Sequence, residues 1–125
     1  MAEKIRVLYV DDEDQNLQSF YANYRRDFYI KTAISAEAAR KILEDDWFQV
    51  IIADQRMPHE TGVEFLSKYL TVNPKPIRIL MTAQADIKTV IAAINEGKVF
   101  KYIGKPATNE FVEYAIKEAH QLYVA

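Results

Sequence analysis

"VIIADQRMPHETG", residues 50–62, is the stretch on which the reading of this chain turns. Four apolar residues, Val50 to Ala53, run into one acid, Asp54, and the chain then breaks at Met57-Pro58. A short continuous apolar run suits a strand covered on both faces. Its ending in a carboxylate raises a question. A strand-end aspartate is often only a turn former, because its side chain accepts bonds from nearby backbone amides. The neighbouring segments have to decide between that use and a chemical one.

Outward from this stretch, apolar runs alternate with segments of helical period. "IRVLYV" (5–10), "FYIKTA" (28–33), "VIIAD" (50–54), "IRILMT" (77–82) and "VFKYIGKP" (99–106) read as five strands. Between them, Leu17, Phe20, Tyr21 and Tyr24 share one helical face, and Ser35 caps a helix with Ala39, Ile42 and Leu43 inward. Thr61-Gly62-Val63-Glu64 has capping-box spacing and opens a helix that runs to about Asn73, ahead of Pro74 and Pro76. Asp86 caps a fourth helix with Ile87, Val90, Ile91 and Ile94 inward, ended by Gly97. A last helix from Thr108 packs Val112, Ala115, Ile116, Ala119 and Leu122. Five strands alternating with five helices over short loops predict an α/β fold, a doubly wound parallel sheet with helices on both faces.

With 125 residues, the chain is one domain's worth, spanning 1–125 without linker or repeat. Its 18 acids and 16 bases leave a net charge of -2, which argues against direct nucleic-acid binding. There is no cysteine, so disulfides and thiolate chemistry are excluded and a reducing compartment is suited. No apolar run approaches membrane-spanning length, and the expected location is the cytoplasm.

In sheets of this kind, functional groups gather beyond the carboxyl ends of the strands. That rule brings Asp11 and Asp12, Asp54, Thr82 and Ala83, and Lys105 and Pro106 to one crevice. Three carboxylates held close repel one another unless positive charge sits among them. Lys105 is one source. The other is a hard cation, and carboxylates without histidine or cysteine suit magnesium. A carboxylate can attack phosphorus to form an acyl phosphate, while a lysine and a magnesium ion neutralise the transferring group. No P-loop or HExxH motif is present, and the chain has only three glycines, so the phosphoryl donor has to come from elsewhere. Taken singly, each residue has an ordinary reading: a turn, a strand end, a solvated side chain. His59 and His120 share no metal-ligand spacing. Chance produces one or two of these features at strand ends, and rarely all four in order.

"YVDDE" (9–13), "ADQRMPHETG" (53–62), "LMTA" (80–83) and "YIGKP" (102–106) together resemble the receiver domain of a two-component response regulator, across essentially the whole chain. The resemblance implies a flavodoxin-like sheet of strand order 2-1-3-4-5. It implies that Asp54 takes a phosphoryl group from the phosphohistidine of a sensor histidine kinase or phosphotransfer protein. Magnesium is then held by Asp12, Asp54 and the Arg56 backbone carbonyl, with Asp11 acting through water. Lys105 and Thr82 pair with the phosphoryl oxygens, the Lys105-Pro106 peptide is cis, Ala83 leaves the path to Asp54 open, and Tyr102 is the aromatic switch. Arg56 and Gln84 are expected to flank the path of an attacking water, with Arg56 read equally well as a loop cation. The face read by an output domain, a protein partner or a second copy in a phosphorylation-dependent homodimer is that of the fourth helix, fifth strand and fifth helix. Lys88, Lys98, Lys101, Tyr102 and Glu113 contribute to it.

"DQRMP" and "NEGKVFKYIGKP" are further similar to receivers fused to HD-GYP phosphodiesterases and related signalling enzymes. Ala107 departs from the aromatic that many of those carry after Lys-Pro. The expected role is a phosphoacceptor and not a turnover enzyme. The competing reading is a magnesium-dependent phosphohydrolase with an aspartyl nucleophile. Such an enzyme needs a general acid two residues beyond its nucleophile, where this chain has Arg56.

Overall fold

Each apolar run named above forms a strand in the computed structural model, which describes residues 3–83 and 87–125. The elements alternate as β1 (Ile5–Val10), α1 (Asp14–Tyr24), β2 (Phe28–Ala33), α2 (Ala36–Asp45), β3 (Val50–Asp54), α3 (Gly62–Val72), β4 (Ile77–Thr82), α4 (Ile87–Asn95), β5 (Lys101–Gly104) and α5 (Asn109–Val124). All neighbouring strands are parallel, in the order β2-β1-β3-β4-β5. Strand order reverses between β1 and β3, so their carboxyl ends open the crevice in which such folds place their chemistry. This is a flavodoxin-like, doubly wound sheet with five helices.

Period-2 alternation divides the core in two. Val7, Tyr9, Val50, Ile52, Ile79, Met81 and Ile103 face α1 and α5, meeting Leu17, Phe20, Val112 and Ile116. Leu8, Val10, Ile51, Ala53 and Leu80 face the other way, onto Ala39 of α2, Phe65 and Leu66 of α3, and Val90 and Ala93 of α4. Both faces of the central strands are therefore dry, which is why β3 reads as a continuous apolar run.

Helix ends follow their local chemistry. The Ser35 hydroxyl accepts from the Ala38 amide, and the Thr108 hydroxyl from the Phe111 amide. Thr61 and Glu64 close a reciprocal capping box. Gly97, at φ 74°, ends α4 in a Schellman arrangement: its amide donates to Ile94 O and the Lys98 amide to Ala93 O. Asp86, read above as the cap of α4, and Gln84 lie outside the described residues.

Some helical faces are turned differently from the sequence reading. Tyr21 of α1 is exposed, because Leu17, Phe20 and Tyr24 fill the contact with the sheet. In α4, Ile87, Ile91 and Ile94 form one apolar stripe, and Val90 and Ala93 form a second, roughly a quarter turn away. The sheet takes the second, smaller stripe and leaves the isoleucines exposed. Leu122 is also exposed, in the last turn of α5 beside Ile77, where the sheet ends.

Candidate functional site

The site is built from strand ends that the sheet holds rigidly. The ladder continues one step past each strand: the Asp11 amide donates to Ala33 O, the Gln55 amide to Met81 O, and the Lys105 amide to Thr82 O. Asp54 stands opposite Met81, and Thr82 opposite Gly104. Beyond β3 the chain must turn sharply into α3. Gly62 makes this possible, since a Cβ there would collide with the Asp54 carbonyl and come within 2.8 Å of Leu80 Cδ1. The Gln55 side chain accepts from the Val63 amide and ties the turn to the helix. In the loop between, Met57 is buried and His59 adopts φ 71°, in the left-handed region.

Asp11, Asp12 and Asp54 each present an oxygen within 4.8 Å of the others. Lys105 reaches in from the end of β5. Its Nζ lies 2.8 Å from Asp11 Oδ2 and 3.5 Å from Asp54 Oδ1. Asp54, Thr82 and Asp12 share a cavity of about 530 Å³ with Glu13, Asn16, Arg56, Ala83 and Lys105. The structure thus brings together the acid pair, the strand-end acid, the hydroxyl, Arg56 and the lysine. Tyr102 is not among them. It sits on β5 opposite Leu80, half-buried against the second core cluster, with its hydroxyl near Gly104. The Lys105-Pro106 peptide is cis.

Burial and crowding set the electrostatics. Asp54 is 8 % exposed, and its carboxyl is pushed up to about 6. Burial is the main cause; repulsion from Asp11 and Asp12 adds to it, and Lys105 only partly opposes it. Asp11 is fully buried yet moves the other way. Burial alone would raise its pKa, but hydrogen bonds from Lys105, Tyr9 and the Glu13 amide outweigh that and hold it below the usual carboxylate range. Two neighbouring carboxylates are thereby driven apart in basicity, with the more basic one on β3.

Two contacts are absent from the sequence reading. The Tyr9 hydroxyl donates to Asp11 Oδ2 at 2.6 Å, and Asn16 Nδ2 donates to the same oxygen at 3.0 Å. Burial and that acceptor push the Tyr9 phenol far above its ordinary pKa. A signal for Tyr9 was present in the sequence: it lies two residues before Asp11 and hence on the same side of the chain.

The sequence pattern described as "Response regulator receiver domain" matches residues 7–117. The chain belongs to the response regulator receiver domain family. This receiver is 36% identical over 117 residues to the hydrogenase transcriptional regulatory protein HoxA of Bradyrhizobium diazoefficiens, covering 94% of this chain and 24% of that protein. To protein-glutamate methylesterase/protein-glutamine glutaminase 2 of Pseudomonas syringae pv. tomato it is 32% identical, over 98% of this chain and 35% of that protein. Among solved structures, a response regulator receiver domain protein from Clostridium thermocellum superposes with a TM-score of 0.87 at 29% identity. That match covers 94% of this chain and 95% of the other. The receiver spans about a quarter to a third of the length of these two curated relatives. Among the described residues, no helix is long and apolar enough to cross a membrane.

Proposed function

We propose that Asp54 of this receiver is the phosphoacceptor, taking a phosphoryl group from the phosphohistidine of a sensor histidine kinase or phosphotransfer protein. The observation that supports this most is the convergence of three carboxylates with Lys105 at the ends of three different strands. An Asp54 oxygen attacks phosphorus and the P–O bond of an acyl phosphate forms as the P–N bond breaks; the phosphohistidine ring, protonated on its other nitrogen, keeps the electron pair and leaves as neutral imidazole. A carboxyl at about 6 is ionised at neutral pH and is more basic than an ordinary aspartate, so it is ready as a nucleophile. Lys105, flexible and already 3.5 Å from Asp54, moves its ammonium onto the arriving oxygens. Thr82, buried at the end of β4, offers its hydroxyl on the same side.

The donor set fits magnesium: carboxylate oxygens close together, with no histidine or thiolate among them. Asp12, Asp54 and the Arg56 carbonyl would hold the ion, with Asp11 acting through water. When bound, it would supply positive charge to the transferring group. Arg56, exposed at the cavity rim, stands where such a phosphohydrolase would carry its acid, which favours a signalling acceptor over a phosphohydrolase. The domain spans residues 1–125 and works in the cytoplasm without contacting nucleic acid or membrane.

Its output face is α4, β5 and α5, with Tyr102 as the switch residue beside Leu80. An output domain, a protein partner or a second copy reads that face. Incubation with acetyl phosphate and magnesium should add one phosphoryl group by intact mass, and Asp54→Asn should abolish the gain. Undiminished labelling of the variant would remove Asp54 as acceptor.

A further inference from the structure

Asp11 carries more hydrogen-bond donors than its role as an outer ligand requires. Its Oδ1 accepts from the Glu13 amide at 3.0 Å. Its Oδ2 accepts from the Tyr9 hydroxyl at 2.6 Å, Lys105 Nζ at 2.8 Å and Asn16 Nδ2 at 3.0 Å. A carboxylate oxygen has two lone pairs, so three donors on one oxygen are one too many for directional bonding. The two fixed donors satisfy the directional sites. The Tyr9 ring is buried and stacks on Phe20 of α1, with centroids 4.1 Å apart and planes 10° from parallel. Asn16 is held in the first turn of α1, where its amide also donates to Glu13 Oε2. Lys105, a point charge on a four-carbon stem, is the donor that can leave.

We propose that Tyr9, seconded by Asn16, is a positioning residue for the divalent ion: it clamps the Asp11 carboxylate and leaves Lys105 as that acid's one exchangeable partner. This rests on the phosphoacceptor reading above. A divalent ion among the three carboxylates repels the ammonium, so Lys105 has to loosen from Asp11 as the ion arrives. With Tyr9 and Asn16 in place, Asp11 loses one donor of four and keeps its orientation inside a fully buried setting. Without the Tyr9 hydroxyl, the carboxylate is free to rotate. It also grips Lys105 in the vacated direction, and that positive charge competes with the ion. Both consequences weaken the metal.

The test is magnesium affinity, read by calorimetry and by amide chemical shifts of the intact chain with no phosphoryl donor present. Tyr9→Phe should raise the magnesium dissociation constant about tenfold, the lower end of what loss of an outer-shell partner costs. Asn16→Ala should raise it severalfold. Tyr24→Phe removes a phenol hydroxyl that donates to Asn109 at 3.0 Å, away from Asp11, and should stay within about twofold of the wild type. A merely structural Tyr9 would lower the melting temperature in EDTA and leave the dissociation constant unchanged, which would overturn the proposal. If Tyr9→Phe does not fold, Asn16→Ala decides in its place, and an unchanged constant there overturns the proposal equally. Wild-type protein that binds no magnesium would take down the metal reading as well, so the two failures are distinguishable.

Discussion

At the N-terminal edge of the sheet, Arg6 pairs with Asp46, donates to the Trp47 carbonyl at 2.8 Å, and lies 4.0 Å from the centre of the Tyr29 ring and 4.3 Å from that of Trp47. Nearby, Arg78 is half-buried and pairs with no carboxylate among the described residues, yet it donates to the carbonyls of Pro76 and Lys98 at 2.8 Å and of Gly97 at 3.2 Å, the last two at the C-terminal end of α4. Each charge there has its complement. At the opposite edge, three carboxylates crowd together, and among the described residues Lys105 pairs with two of them, the more basic acid taking the longer contact. One sheet therefore carries a settled end, where polar groups contribute to stability, and an unsettled end, where crowded carboxylates cost stability at the site proposed above as phosphoacceptor.

The largest loss of stability in this comparison comes from the settled end. Arg6→Ala removes an ion pair, a charged hydrogen bond and cation–π contacts with Tyr29, Trp47 and Phe48 from a side chain that is mostly buried. A loss of roughly 2–3 kcal/mol is expected in urea unfolding. Phosphoryl labelling of the folded variant should be unchanged, because nothing at the crevice is touched. A drop in labelling without unfolding would show that the two edges are coupled.

The unsettled end should respond with the opposite sign. Asp54 titrates at about 6 in the fold, against ~3.9 in an unfolded chain. The native state therefore holds the extra proton between those values, and stability falls as pH rises through that window. Above it the charged carboxylate costs roughly 3 kcal/mol, at ~1.4 kcal/mol for each pH unit of displacement. Asp54→Asn should accordingly stabilise the metal-free protein by about that much at pH 7–8, and by nothing below about pH 4. Saturating magnesium should shrink or reverse the gain, since the ion stabilises only the form that binds it. Chemical denaturation in EDTA across pH is the measurement. A destabilised variant at pH 8 would mean that the acid cluster is not in excess.

Much of this contrast was legible in the sequence, and what was missed has physical causes. The strands were readable because residues buried on both faces leave continuous apolar runs such as 50–54, and the alternation of elements then put every strand end on one edge. Asp11, Asp12, Asp54, Thr82 and Lys105 could be gathered from chain order alone, since a parallel sheet leaves their backbones nowhere else to go. Helix orientation was harder. Ile87, Ile91 and Ile94 have correct helical spacing, but so do Val90 and Ala93, and periodicity cannot say which stripe the sheet takes. Tyr9 was missed for a related reason: a tyrosine in an apolar strand reads as packing, and its hydroxyl acquires meaning only when Asp11 is seen beside it. The pairing of Arg6 with Asp46 joins residues forty positions apart through side-chain placement, which no local pattern records.

Asp46 supplies the smallest and sharpest test, because it is the same residue type as Asp54 with the opposite displacement. Burial alone would raise its pKa, but the Tyr29 hydroxyl at 2.8 Å, the Trp47 amide and Arg6 overcome that and hold it low. An acid depressed in the fold contributes stability at neutral pH, and that contribution is lost as pH falls through its folded value, below ~3.9. Asp46→Asn should therefore destabilise at pH 7 by about 0.5–1 kcal/mol, discounted for its partial exposure, with the difference closing in acid. Set beside Asp54→Asn, the same neutralisation should lower stability at one edge of the sheet and raise it at the other, with both effects fading as the solution is acidified. Equal signs for the two variants in EDTA at pH 8 would erase the distinction between a settled and an unsettled edge, and would show that burial and crowding do not hold Asp54 above the usual carboxylate range.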